Sequence, residues 1–230
     1  MKFYGMQKMT LLDYPGYVAC TLFTGGCNFR CPFCHNALLV TELDDNYTIE
    51  EEEVLAFLKK RQGLLDGVCI TGGEPLINKN IGDFLAKVKA LGFKIKLDTN
   101  GTNPTLLKEL VNDNLVDYVA VDIKNSPEKY AETVGLKNFD MSPVVETINF
   151  LRSGAVDYEF RTTVTEQFHT VESIESAARL IEGAKRYFLQ GFVDSGNLIG
   201  SGITGKSKEE MEKMLSVAKK YVPDSSLRGI

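Results

Sequence analysis

Six short apolar runs, each parted from the next by a helix-compatible stretch, constrain the fold of this chain more than any other feature. They cover residues 17–24, 67–71, 93–97, 116–121, 158–164 and 186–190, and they are rich in the β-branched and aromatic residues that suit a pleated, buried surface. Between them lie amphipathic stretches: Val54, Leu55 and Leu58 behind an expected N-cap at Thr48, then Phe84, Leu85 and Val88, then Leu106, Leu107 and Leu110. Further helical pieces are expected at 127–134, 143–152, 171–181 and 208–221. Alternation of this kind predicts an α/β fold with a parallel sheet, because parallel neighbours need a crossover connection. Strand count alone does not separate a doubly wound sheet from a barrel.

Length favours one substantial core, so residues 1–230 are expected to form a single domain with a short N-terminal extension (1–16) and a C-terminal helix (207–222). A formal charge of −5 argues against binding nucleic acid through a broad basic face. No apolar core follows the first seven residues and no stretch approaches the length of a membrane span, which makes cytoplasmic the expected address and a membrane an unexpected partner.

Each polar motif follows a strand directly. Gly25–Asn36 comes after the first, Gly72-Gly73-Glu74-Pro75 after the second, Asp98-Thr99-Asn100-Gly101 after the third and Asp122-Ile123-Lys124 after the fourth. In parallel α/β folds ligands gather at the carboxyl ends of strands, so these segments are expected to share one mouth.

The first of them carries Cys27, Cys31 and Cys34, three thiols within eight residues. This spacing can wrap one face of a cubane iron–sulfur cluster while offering no fourth thiolate, which leaves one iron open. A zinc knuckle with His35 as fourth ligand is the alternative, set back by His35 directly following Cys34. A disulfide or redox-sensing loop is another, set back by an odd total of five cysteines. Once the loop takes three, only Cys20 and Cys69 remain, too few for a second thiolate-bound cluster.

The loop Cys27-x-x-x-Cys31-x-Phe33-Cys34, with an aromatic before its last cysteine, resembles the radical S-adenosylmethionine superfamily. Its continuation into His35-Asn36 resembles the glycyl-radical-enzyme activases within it. Leu12-Asp13-Tyr14-Pro15-Gly16 upstream and Tyr158-Glu159-Phe160-Arg161-Thr162-Thr163 downstream are similar to the activating proteins of anaerobic ribonucleoside-triphosphate reductase. The likeness runs in order through nearly the whole chain. It implies a partial (β/α)6 barrel, parallel strands inside and helices outside.

The resemblance also implies one [4Fe–4S] cluster on Cys27, Cys31 and Cys34, with S-adenosylmethionine chelating the open iron through its amino-acid end. One electron then releases methionine and a 5′-deoxyadenosyl radical, chemistry that belongs to the cofactors. Gly72, Gly73 and Glu74 are expected at the methionine end, Glu74 accepting from its amino group, and Phe33 near adenine. His35 is expected to brace the loop or line the site, and Asn100 to join the cosubstrate contacts. Asp98 and Asp122 would hold a monovalent cation beside the methionine carboxylate, Lys124 would touch the cosubstrate, and Arg161 would reach its ribose or carboxylate. Simpler readings stand beside these: core packing for Phe33, N-capping for Asp98, a salt bridge to Lys124 for Asp122 and pairing with a buried acid for Arg161. His169 is expected at the surface.

The implied activity is generation of a glycyl radical on a large partner enzyme under anaerobic conditions, with anaerobic ribonucleoside-triphosphate reductase the expected target and flavodoxin, or another low-potential donor, the source of electrons. Phe192 stands near the point where pyruvate formate-lyase activases carry a histidine, which weakens that assignment. Activation of another glycyl radical enzyme, radical chemistry on a small molecule and a non-catalytic iron–sulfur carrier or sensor are the alternatives.

Overall fold

The computed structural model describes residues 1–230. The chain opens with β1 (Lys2–Phe3) and β2 (Gly5–Thr10), then enters the sheet proper at β3 (Ala19–Thr24). After the cysteine loop come α1 (Ala37–Thr41), β4 (Ile49–Glu50) and α2 (Glu51–Lys59), then β5 (Gly67–Gly72) and α3 (Ile81–Ala90). The middle of the chain continues with β6 (Lys94–Thr99), α4 (Pro104–Asn112), β7 (Tyr118–Asp122), α5 (Tyr130–Thr133) and α6 (Ser142–Arg152). It ends with β8 (Asp157–Val164), α7 (Val171–Leu180), β9 (Tyr187–Gly191), α8 (Lys208–Ala218) and β10 (Ser225–Arg228).

One sheet of eight strands, ordered β10-β9-β8-β7-β6-β5-β3-β2, forms the frame. Its six expected strands, β3 and β5 to β9, pair in parallel and in chain order. Two further strands extend it. β10 adds in parallel to β9, and β2 adds antiparallel to β3, so part of the expected N-terminal extension is an edge of the sheet. Neither has an apolar run to reveal it: β2 reads Gly-Met-Gln-Lys-Met-Thr and β10 Ser-Ser-Leu-Arg. Thr48 is not the N-cap of α2, because residues 49–50 are drawn into pairing with β1 and the helix starts at Glu51, whose carboxylate takes Lys87 Nζ at 2.6 Å.

Side-chain parity divides the sheet into two chemically different faces. Leu22, Val68, Ile70, Ile95, Leu97, Val119, Val121, Phe160 and Leu189 join one apolar core with Leu58, Phe84, Leu107, Ile148, Ile174 and Met211 from the helices. The alternate residues are polar: Cys69, Lys96, Asp98, Asp122, Glu159 and Arg161 bond to one another or to partners across strands. A helix layer therefore covers one face of the sheet, and the other face holds charge.

Near the start of β3, the Leu-Asp-Tyr-Pro-Gly segment is anchored to the sheet. The Thr21 hydroxyl donates to Asp13 Oδ2 at 2.5 Å, and the buried Tyr14 ring lies 4.9 Å from Tyr17 and 6.0 Å from Tyr118. No helix is long and apolar enough to cross a membrane.

Candidate functional site

A cavity of about 280 Å³ opens at the carboxyl ends of the parallel strands, and every one of the thirteen expected site residues lines it. Cys27, Cys31, Phe33, Cys34 and His35 come from the loop after β3, Gly72 to Glu74 from the end of β5, Asp98 and Asn100 from β6, Asp122 and Lys124 from β7, and Arg161 from β8. Residues 134 positions apart thus meet because consecutive parallel strands deliver their exits to the same side.

The cysteine loop is held by the rest of the chain. Phe29 packs edge-on against Phe139 at 5.2 Å and Tyr130 at 6.4 Å, and Arg30 N donates to Val134 O at 2.9 Å. The Arg30 guanidinium folds back to the carbonyls of Cys27 and Phe29 at 2.6 and 2.7 Å. Phe29 N donates to Cys27 Sγ at 3.4 Å. Burial pushes the Cys31 thiol up to about 12 and raises that of Cys27, while Lys124 acts in the opposite direction on both. Such thiols are poor free thiolates, and a bound metal centre is what stabilises the deprotonated form. The three sulfurs of Cys27, Cys31 and Cys34 on one cavity, with Cys20 and Cys69 buried on β3 and β5, fit a cluster anchored at three corners.

The glycines after β5 serve the protein backbone. Gly73 N donates to Thr24 O at 2.9 Å and Glu74 N to Gly26 O at 2.8 Å, and a Cβ at Gly73 would overlap the Gly26 carbonyl. Gly72 has φ +114°, open to glycine alone without strain, and its carbonyl accepts from Asn36 Nδ2 at 2.8 Å. The two loops are thereby laced into one wall.

Glu74 is buried and tied to the next loop. Oε1 accepts from Leu76 N at 3.0 Å and Thr99 Oγ1 at 2.7 Å, and Oε2 accepts from Asn100 N at 2.7 Å. A carboxylate has about four accepting positions, so one remains on Oε2. Burial raises this carboxyl to about 7 against the pull of those three donors. Asn100 Nδ2 donates to Asn28 Oδ1 at 2.7 Å, and Asn28 Nδ2 to Thr102 Oγ1 at 2.9 Å, joining the β6 loop to the cysteine loop.

The simpler readings of the aspartates are half right. Asp122 does pair with Lys124, at 3.0 Å, but Asp98 caps no helix. Arg161 lies between them, Nε donating to Asp122 Oδ1 at 3.0 Å and Nη1 to Asp98 Oδ2 at 3.1 Å. Burial opposes ionisation of both acids, yet Arg161 first, then Lys96 for Asp98 and Lys124 for Asp122, hold them below the usual carboxylate range.

His169 is a correction. It is fully buried, since Thr165 N donates to Nδ1 at 3.1 Å and Nε2 bonds Lys124 O at 2.9 Å, and desolvation pulls it down to about 4. Its ring meets Phe33 edge-on at 6.0 Å, while Phe168 packs on Phe33 at 5.7 Å. Phe33 is thus a packed ring, as the simpler reading has it, and it also lines the cavity. His35 is exposed at the rim, its Nε2 on Val193 O at 2.8 Å and its ring stacked on Phe192 at 5.1 Å, a bracing contact. Lys96, Thr99 and Gln190 escaped the sequence reading; for Lys96 the signal was present, since on a strand it shares a face with Asp98 two residues on.

A family profile described as the Radical SAM superfamily matches residues 21–181. A protein named "Putative glycyl-radical enzyme activating enzyme" from Methanocaldococcus jannaschii is 30% identical over 98% of this chain and 95% of its own. Among solved structures, Streptococcus suis SuiB bound to its precursor peptide SuiA aligns with a TM-score of 0.71 at 15% identity, over 91% of this chain and 48% of that one, so the chain spans about half of SuiB. A domain of pyruvate-formate lyase-activating enzyme from Bacteroides vulgatus aligns with a TM-score of 0.55 at 17% identity, over 71% of this chain and 99% of that one. At those identities the two structures speak for the fold, which is that of the partial barrel expected.

Proposed function

Because the chain belongs to the Radical SAM superfamily, a family of enzymes built on a 4Fe–4S cluster and S-adenosylmethionine, we propose that it is an activase that generates a glycyl radical on a large partner enzyme, anaerobic ribonucleoside-triphosphate reductase. The carrying observation is the end-to-end likeness to a protein named as a glycyl-radical enzyme activating enzyme, together with three thiols, Glu74 and the Asp98–Arg161–Asp122–Lys124 network on one cavity.

Bound there, a 4Fe–4S cluster and S-adenosylmethionine would supply the one-electron and radical chemistry needed to take a hydrogen from a glycine α-carbon. Cys27, Cys31 and Cys34 would hold the cluster. Gly72 and Gly73 keep the β5 loop flush with the cysteine loop, and the remaining acceptor on Glu74 Oε2 receives the amino group of the cosubstrate. Lys124 is the cation for its carboxylate, and Arg161 fixes the two aspartates behind it. Phe33 gives an apolar wall for adenine, Asn100 steadies the loop beneath, and His35 braces the rim. The whole of 1–230 acts as one domain in the cytoplasm, taking electrons from flavodoxin or a similar low-potential donor, with no nucleic acid or membrane in its cycle.

Anaerobic reconstitution tests the class. Dithionite-reduced protein given S-adenosylmethionine should yield methionine and 5′-deoxyadenosine, and a chain that binds iron yet yields neither is a carrier or sensor. Electron paramagnetic resonance tests the target: a glycyl doublet should arise on the reductase after mixing, and one that arises only on a different glycyl radical enzyme removes the reductase from the reading.

A further inference from the structure

The monovalent cation expected beside Asp98 and Asp122 does not fit the donors found there. Hard cations are held by oxygen ligands whose charge is free to receive them, and each of the four carboxylate oxygens already accepts from an ammonium or guanidinium of the protein. Lys96 Nζ and the Cys69 thiol meet Asp98 Oδ1, and Arg161 Nη1 meets Oδ2 at 3.1 Å. Arg161 Nε takes Asp122 Oδ1 and Lys124 Nζ takes Oδ2, each at 3.0 Å. Two carboxylates thus face three cations, a local charge of about +1 before any ligand arrives. Lys96 is only 1% exposed and bonds nothing in the protein beyond Asp98 and Cys69, so its ammonium is committed to this cluster.

We propose that Lys96 and Arg161 supply, from within the chain, the positive charge that a monovalent cation would otherwise bring, so that S-adenosylmethionine binds here without K⁺ or Na⁺. Lys96 is the positioning residue. It stands two residues before Asp98 on β6, where the strand period points both side chains to the same face. Arg161 arrives from β8, whose pairing sets it opposite Asp122. A methionine carboxylate entering beside Lys124 brings the local charge to zero. A further cation would lie against Lys96, Arg161 and Lys124 and add to a positive charge that already exceeds that of the two carboxylates. The inference rests on the cosubstrate proposed above.

Calorimetric titration of the full, anaerobically reconstituted chain with S-adenosylmethionine tests it, run in tetramethylammonium chloride and in KCl or NaCl at equal ionic strength. The dissociation constant should agree between salts within about twofold, and tightening of about tenfold or more in K⁺ or Na⁺ overturns the proposal. Lys96→Met should weaken binding about tenfold in tetramethylammonium, as expected for one lost charged hydrogen bond, and regain most of it in KCl. Weakening that no salt repairs overturns the charge-supplying role of Lys96. Sodium-23 relaxation of the cluster-free chain gives a readout that needs no cosubstrate: the native protein should cause no saturable broadening, and saturable broadening overturns the proposal even if Lys96→Met fails to fold. Absence of S-adenosylmethionine binding in every salt defeats the proposed function instead, and leaves the sodium measurement to decide the cation question.

Discussion

Gly73 and Gly26 touch backbone to backbone, with no room for a Cβ at Gly73 beside the Gly26 carbonyl, and the Glu74 N–H closes the contact with a 2.8 Å bond to that carbonyl. Gly73→Ala should therefore part the two loops, lowering apo-protein stability by about 1–3 kcal/mol and the iron retained after anaerobic reconstitution. Gly82→Ala in α3, whose added Cβ meets only Leu110 Cδ2 at 3.4 Å, is the control and should leave both within error or raise stability slightly. Chemical denaturation and iron analysis read the pair.

Iron content separates the five cysteines. Cys27→Ala, Cys31→Ala and Cys34→Ala should each lose the charge-transfer absorption of the cluster, whereas Cys20→Ala and Cys69→Ala, buried in strands, should keep it at a stability cost of about 1 kcal/mol. Retention of a full cluster in Cys34→Ala would show that another side chain completes the site.

Two buried groups should give the cluster-free chain opposing pH dependences. Glu74 rises from 4.5 to about 7, so the folded state binds the extra proton and stability from this group falls as pH climbs through that window. His169 drops from 6.5 to about 4, so the unfolded state binds the extra proton and stability from this group rises over nearly the same range. The native profile between pH 4.5 and 6.5 should be nearly flat with respect to this pair. Glu74→Gln should reveal a rise with pH and His169→Gln a fall, each on the order of 3 kcal/mol across its window. Urea denaturation at stepped pH distinguishes these slopes; parallel profiles for the two variants would contradict the assignment.

Arg161→Gln leaves Asp98 and Asp122 facing each other with their shared partner gone. Loss of about 3 kcal/mol of stability is expected, with Arg161→Lys recovering part of it, because one ammonium cannot serve both carboxylates as a planar guanidinium does. Denaturation of the cluster-free protein measures this apart from any effect on catalysis.

The parallel frame and the shared mouth were legible because each depends on local signals: an apolar run, a breaker and a polar motif directly after it. What stayed hidden depends on distant partners. Glu159 reads as one acid in a strand, yet it is 1% exposed and receives Arg228 from 69 residues away and the Tyr118 hydroxyl from 41. His169 sits in a Thr-rich helix start that looks solvated, and only the fold brings the Lys124 carbonyl to it. The glycines of Gly72-Gly73 were visible, but their protein neighbours were not: a Cβ there would meet Thr24 and Gly26, which only the fold brings beside them.

The cysteine loop takes its support from segments made long after it. Val134 receives the Arg30 amide, Val193 meets His35 from 158 residues downstream, and Gly200 N donates to Pro32 O at 2.8 Å. During synthesis the three thiols leave the ribosome well before any of these partners exist. The loop can thus reach its final shape only once Gly200 has been made and has docked on Pro32, and metal loading belongs after that docking.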